Sequence, residues 1–421
     1  MTKPVLISHS LNGTAETTYA KTKQWDAGQS KALVRSIWAT NDGQPNPKKK
    51  VSDDKVVAGY SSEGLPFIIV VDGFHNDDTL ATHTFIDKQV VPLMNDYALK
   101  LTKAKDDSVI TKNLVEKIVQ LRHAFAQFTA FTLSLATVYI KNNNYYVAGF
   151  GIGDTGIVVK DNKGAIKQLV ANTVVDDFKD AIDSTTFPKN ANIDLVLKRN
   201  TVFCSQIAEN DEILGYTYVP DEFEEEVSQF KTKHINSRVS EPQIIEKKVL
   251  KFTSSPSQSL FEELSNSIDT VHNQQCKLAS EHPLERHFGD DCALVSVIVP
   301  DKNQQENLIR ISAIAIATRK YLDWMDINAK GHRFLNRFSH FFHGTSGRNR
   351  AQNILNMINN GCDYEQINKA MEQAIKASGH RQHSYSRYLW DEIDEHHKDS
   401  VVGNLTVSDN EFLATKSRMC L

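Results

Sequence analysis

Apolar residues change their spacing repeatedly along the chain. Lys55-Val-Val-Ala58 and the run from Leu65 to Val71, separated by the turn-like Ser61-Ser-Glu-Gly64, have the length and continuity of adjacent buried strands. From about Thr79 to Thr129 the spacing becomes helical. Phe85, Val90, Leu93, Met94 and Leu99 form one stripe, and Leu114, Ile118, Leu121 and Phe125 another, joined near Asp106-Asp107-Ser108. Strand signals then return in hairpin order: Thr132 to Ile140, a tight Asn142-Asn-Asn144 turn, Tyr145 to Phe150, a Gly153-Asp-Thr-Gly156 turn, and Ile157 to Lys160. Consecutive hairpins of this kind predict an antiparallel sheet.

Residues 162 to 200 are polar and weakly periodic, which predicts an inserted flap rather than a core element. Ile213 to Tyr218 reads as one more short strand, Asp221 to Lys233 and Ser257 to Leu278 as helices, and Cys292 to Val299 as an apolar strand. After Pro300-Asp-Lys-Asn-Gln-Gln305 the alternation stops and nearly everything to about His397 has helical character. The expected organisation is a strand-rich catalytic domain over residues 1–300 and an α-helical domain over 306–421.

Composition narrows the function classes. With 40% hydrophobic residues, 24% charged residues and a formal net charge of -4, the chain has no global attraction for nucleic acid. Its five cysteines (Cys204, Cys276, Cys292, Cys362 and Cys420) lack CxxC or finger-like spacing, which argues against a disulfide framework and a structural zinc site. The N-terminal stretch MTKPVLISHSLNG shows no Sec signal pattern, and no apolar run is long enough to span a bilayer.

The chemistry concentrates in acidic residues at strand boundaries. Asp53-Asp54 precede the first strand signal, Asp72-Gly73 close the second, Asp154 sits in Gly153-Asp-Thr-Gly156, and Asp290-Asp291 open the run from Cys292. Carboxylates at the ends of neighbouring strands converge, and hard cations such as Mg2+ or Mn2+ take carboxylate and carbonyl oxygens with retained waters. An aspartate beside glycine is by itself more often a turn former. The joint order of the four sites is what points to a metal centre. Cys292, directly after the acidic pair, has the alternating apolar context of a buried strand residue rather than a nucleophile.

That order resembles the PP2C (PPM-type) metal-dependent phosphatases, over about residues 1 to 300. Asp53-Asp54 match the family's Glu-Asp, Asp72-Gly73 its Asp-Gly, Asp154 its Gly-Asp-Ser turn and Asp290-Asp291 its Asp-Asn, while Lys49 stands near the phosphate-binding arginine. The resemblance implies an α/β/β/α sandwich, two antiparallel sheets flanked by helices, with two Mg2+ or Mn2+ ions. It makes Asp72 the bridging ligand, with the Gly73 carbonyl, Asp54 and Asp290 completing the pair, and Asp154 serving a third, looser ion or orienting a water.

Two departures from the pattern affect chemistry. In Asp211-Glu-Ile-Leu-Gly-Tyr-Thr-Tyr218, Tyr218 or a neighbour stands where a metal-binding aspartate is expected, unless Asp221 takes that place; Phe74 replaces a histidine that many members offer to the leaving group, with His75 one place later. A phenol has a pKa of about 10, so tyrosinate leaves with less protonation than a serine or threonine alkoxide needs. Within the family the likeness is to bacterial effectors that remove AMP from a tyrosine of a host Rab-type GTPase. Alternatives are a serine/threonine phosphatase, a dephosphocholinase, and a pseudophosphatase that only binds a partner.

The helical tail interleaves rings and cations in Gly331-His-Arg-Phe-Leu-Asn-Arg-Phe-Ser-His-Phe-Phe-His343. Such a segment suits a lipid interface with acidic headgroups, or equally the packing face of an ordinary amphipathic helix. The resemblance implies a secreted effector acting in host cytosol at a membrane surface.

Overall fold

The computed structural model describes residues 6–11, 21–25, 28–36, 52, 54–73, 79–125, 131–153, 155–170, 172–175, 201–217, 224–233, 242–250, 259–281, 291–331 and 346–378. They form two units, 1–308 and 309–421.

The first unit is a sandwich of two six-stranded antiparallel sheets. With strands numbered in chain order, the first sheet runs β1 (Leu6–Leu11), β4 (Lys55–Tyr60), β5 (Pro66–Gly73), β6 (Phe131–Lys141), β7 (Asn144–Ile152) and β11 (Thr201–Ile207). The second runs β2 (Lys21–Trp25), β3 (Gly28–Ser36), β15 (Asp291–Ile298), β12 (Glu212–Tyr216), β8 (Gly156–Lys160) and β9 (Ile166–Val170). Side-chain alternation assigns each strand two faces. In β4 and β5, Val56, Ala58, Ile68 and Val70 join Ala32, Ile213, Ala293 and Val295 of the second sheet in a core between the sheets. The other parity, Val57, Phe67, Ile69 and Val71, packs against helices.

Those helices are α1 (Thr79–Phe85), α2 (Met94–Lys103) and α3 (Asp107–Ala124), with a π turn at Ile86–Val90 and a 3-10 turn at Val91–Leu93 linking the first two. Pro92 removes one backbone donor and, with the two irregular turns, divides what the spacing predicts as one continuous helix. The Asp106 carboxylate caps α3 by accepting the Ser108 N–H at 2.9 Å. On the outer face of the second sheet lies α4 (Leu260–Glu281), whose Leu260, Phe261, Leu264 and Ile268 cover Leu33, Val158, Leu214 and Leu294. The result is the α/β/β/α sandwich, with two antiparallel sheets flanked by helices.

The Asn142-Asn143 turn is formed as expected, with φ of 52° and 60°, values that asparagine tolerates and that match the twist of a two-residue hairpin. Two expectations fail. Residues 166–170 are not part of a flap: β9 is the edge strand of the second sheet, paired with β8, with Leu169 and Val170 buried. Ile166 to Gln168 keep much of their polar pattern because an edge strand buries only part of itself. Residues 224–233 are not helical. They form β13 (Glu224–Lys233), paired with β14 (Pro242–Leu250) and, through it, with β10 (Asn172–Val175) in a separate three-stranded sheet. Long-range pairing overrides the helix propensity of the Glu224-Glu-Glu226 run. Finally, β1, β2, β3 and β11 carry no clear strand period in the sequence and are held by the ladders beside them.

In the second unit α5 (Lys302–Gly331, which begins in the first), α6 (Ser346–Asn359) and α7 (Tyr364–Ser378) bury Ile354, Ile358, Ile367 and Met371. The Arg310 guanidinium sits 5.6 Å from the Tyr364 ring centroid, and Arg348 pairs with Asp326 at 2.9 Å. Among the described residues no helix is long and apolar enough to cross a membrane. The aromatic and basic segment 331–343 lies outside the described residues except for the backbone of Gly331.

Glu212, buried at the start of β12, ties the second sheet to α4: its carboxylate accepts from Leu260 N–H at 2.8 Å, Phe261 N–H at 3.1 Å and Ser259 Oγ at 2.9 Å. A carboxylate at a helix N-terminus satisfies donors the helix cannot and meets the positive end of its dipole. Glu212→Ala strands both N–H groups and is expected to cost about 2–3 kcal/mol in urea denaturation, whereas Glu262→Ala, on an exposed carboxylate paired with Lys31, is expected to cost under about 1 kcal/mol.

Candidate metal centre

The inner faces of β4 and β5 are apolar until their ends and then become acidic. Asp54 shares the parity of Val56 and Ala58, and Asp72 that of Val70 and Ile68, so both project on the face that elsewhere forms the core between the sheets. In the ladder Lys55, the first residue of β4, opposes Val71, so Asp54, just before Lys55, and Asp72, just after Val71, lie at the same end of the sheet. Asp54 is 2% exposed and Asp72 half-buried. Carboxylates at neighbouring strand ends repel unless hydrogen-bond donors or a cation stand beside them.

The same parity carries polar groups on every neighbouring strand at this end. Thr132 of β6 opposes Asp72 and is fully buried. Ser134, two residues on, lies with its hydroxyl 2.6 Å from that of Thr155, which follows Asp154 in the β7–β8 turn. Gly153 takes a φ of 92°, a left-handed conformation that lets β7 break off sharply before that turn. In the second sheet Thr217, just past β12, donates its hydroxyl proton to Asp54 Oδ2 at 2.6 Å. The Ala293 N–H donates to the same hydroxyl at 2.9 Å, and the Thr217 N–H donates to the Ala293 carbonyl at 3.0 Å. Asp54 is also fixed through its backbone, its N–H donating to Ser52 Oγ at 3.1 Å.

Strand ends converge here because the sheets approach closely. Gly215 lies on the inner face of β12; a methyl group there would stand 2.4 Å from Val70 Cγ2 and 3.1 Å from Ile68 Cδ1. Only a residue without a side chain lets β12 come near enough for Thr217 to reach Asp54. Asp291 opens β15 opposite Ser36, two residues before Ala293, so its backbone lies at this end of the sandwich.

Of the residues singled out in the sequence, the structure therefore brings together Asp54, Asp72 and the Gly73 backbone, and leads the backbone of Asp291 to the same end. Lys49, Asp53, Phe74, His75, Asp154, Tyr218, Asp221 and Asp290 lie outside the described residues. Among the described residues no set of three or more histidine, cysteine, aspartate or glutamate side chains is gathered into a metal cluster. The donor types present nevertheless fit a hard divalent cation: two carboxylates at the same sheet end, a glycine carbonyl beside one of them and hydroxyls nearby. Thr217, Ser134, Thr155 and Gly215 were not picked out from the sequence. Their signal is a polar or minimal residue at an inner-face position, which is legible only once the strand parity and register are known.

The catalytic-domain model of SidD, a family described as "SidD, catalytic domain", matches residues 5–304. No curated protein matches the chain. Similar solved structures include RsbX in complex with magnesium (8% identity, covering 67% of this chain and 100% of that one, TM-score 0.35). They also include the catalytic domain of the serine threonine protein phosphatase PstP in complex with two manganese ions (12%, 65% and 99%, TM-score 0.30) and a serine-threonine phosphatase 2C from Toxoplasma gondii (9%, 69% and 99%, TM-score 0.37).

Gly215→Ala is expected to destabilise the protein by about 1–3 kcal/mol through overpacking. In a double-mutant cycle with Val70→Ala, which removes the obstructing methyls, the combined cost should fall short of the sum by at least about 1 kcal/mol. Additive costs would show that the sheets are not held at contact here.

Proposed function

The chain belongs to the SidD catalytic-domain family, and from that premise we propose that residues 5–304 hydrolyse a protein phosphodiester with Mg2+ or Mn2+, removing AMP from a tyrosine of a Rab-type small GTPase. The observation that carries the metal-dependent part is the placement of Asp54 and Asp72 at the same end of the first sheet, beside the inter-sheet core. Asp54, Asp72, the Gly73 carbonyl and Asp290 would hold two ions, with Asp154 as a ligand for a third. When bound, such ions supply Lewis acidity, lowering the pKa of a water toward neutrality and offsetting charge on phosphoryl oxygens.

The chain's own groups do the rest. Asp54 and Asp72 supply carboxylate oxygens, and Thr217 donates to Asp54. Packed Val56, Val70 and Ala293 of the adjoining core keep bulk water out beneath them. Lys49 is assigned to hold a phosphate oxygen as a point charge. Phe74 at the leaving-group position supports a tyrosyl ester, because a phenolate departs without the full proton transfer an alkoxide requires. His75 remains the candidate donor for whatever assistance is needed. In this reading the helical second unit directs the enzyme to the host membrane that carries the lipidated GTPase, and the protein works as a secreted effector.

The test is intact mass spectrometry of a Rab GTPase carrying AMP on its switch tyrosine, incubated with the full chain and Mg2+ or Mn2+. Loss of the AMP mass with the wild type, and its retention with Asp72→Ala or excess EDTA, is the expected result. AMP that stays while a phosphoserine or phosphothreonine peptide or a phosphocholinated GTPase is cleaved would replace the substrate and keep the chemistry. No hydrolysis of any of them would leave a partner-binding pseudophosphatase.

A further inference from the structure

We propose that Thr217 is a positioning residue of the metal site: its hydroxyl fixes which oxygen of Asp54 faces the cation and thereby sets divalent-ion affinity. The inference rests on the metal reading above and extends it to an uncharged residue of the opposite sheet.

Thr217 is 3% exposed, so no solvent competes for its hydrogen bonds. In a continuing antiparallel ladder the Ala293 N–H would donate to the Thr217 carbonyl. Here the chain bends away after Tyr216, and the Thr217 hydroxyl receives that N–H instead at 2.9 Å. A hydroxyl has one proton. With its acceptor side taken by a backbone donor, that proton is directed at Asp54 Oδ2, 2.6 Å away, a length typical of a charge-assisted bond to a carboxylate.

Asp54 is consequently held at two points from two directions: its N–H by Ser52 within its own chain segment, and Oδ2 by Thr217 across the gap between the sheets. Thr217 thus orients the Asp54 carboxylate before any ion arrives, and an ion would meet the carboxylate in that orientation. Partners that orient a ligand in this way commonly change metal affinity by about 10–100-fold when removed. Threonine rather than a second acid at the end of β12 also adds no charge beside Asp54.

Isothermal titration of the full chain with Mn2+ tests this, with Thr217→Val as the shape-matched variant lacking the hydroxyl and Thr217→Ser as the variant keeping it. The serine variant is expected to bind within about 3-fold of wild type, and the valine variant at least about 10-fold more weakly with an unchanged circular dichroism spectrum. Valine binding like wild type, or serine weakened as much as valine, would overturn the proposal by showing that only the shape of the residue matters. Should the valine variant not fold, serine and alanine carry the comparison: serine must bind at least about 10-fold more tightly, and equal affinities overturn the assignment. A wild type that binds no Mn2+ brings down the metal reading and this inference with it. Binding by wild type with an unaffected valine variant brings down this inference alone.

Discussion

Like charges at neighbouring strand ends repel, and this protein places Asp54 and Asp72 at the same end of its first sheet, beside the core between the sheets. Polar residues nearby relieve part of that strain, and a divalent cation would relieve the rest. Everything around the pair is arranged to hold it there. The strands below it are locked on one face by the inter-sheet core and on the other by helices, so neither carboxylate can withdraw without disturbing a packed layer. Close-packed interiors yield little, and a site built at their edge inherits their rigidity.

The two sheets contribute unequally. The first supplies the described carboxylates, on β4 and β5, and the second supplies the group that restrains one of them. That division works only at short range between the sheets, which is the role of Gly215 against Val70. Lys55 shows the same economy on the opposite face: next in sequence to Asp54, it alternates outward, is buried, and pairs with Asp87 of the π turn at 3.1 Å while donating to Ser10 Oγ at 2.9 Å. Burial lowers its pKa, and the Asp87 carboxylate opposes that shift. One strand start thus anchors the helical layer on one side and presents the Asp54 carboxylate on the other.

Much of this was legible in the sequence because burial on both faces leaves continuous apolar runs. Leu65 to Val71, Thr132 to Ile140 and Cys292 to Val299 are such runs, and each is a central strand. Edge and outlying strands were not legible. Ile166 to Val170 is half solvated, and Glu224 to Lys233 gains its strand form from pairing with a segment that follows it only after Pro242. At the site, the acids were visible because carboxylates at strand ends form a pattern in one dimension. Thr217 was not singled out, since a threonine among aromatic residues carries no signal until register shows that it continues the inner-face parity of Ile213 and Gly215.

That substitution of roles bears on how the site balances charge. The related phosphatase pattern puts an aspartate where Tyr218 stands, and each added carboxylate strengthens the pull on cations while raising the repulsion when they are absent. A hydroxyl at the preceding position answers the second oxygen of Asp54 with a dipole instead of a charge. In the proposed reading the site would hold its ions with fewer negative groups, and a larger share of its affinity would come from fixing the carboxylates it has. Orientation replaces charge, and orientation is what a buried hydroxyl bridging two rigid sheets supplies.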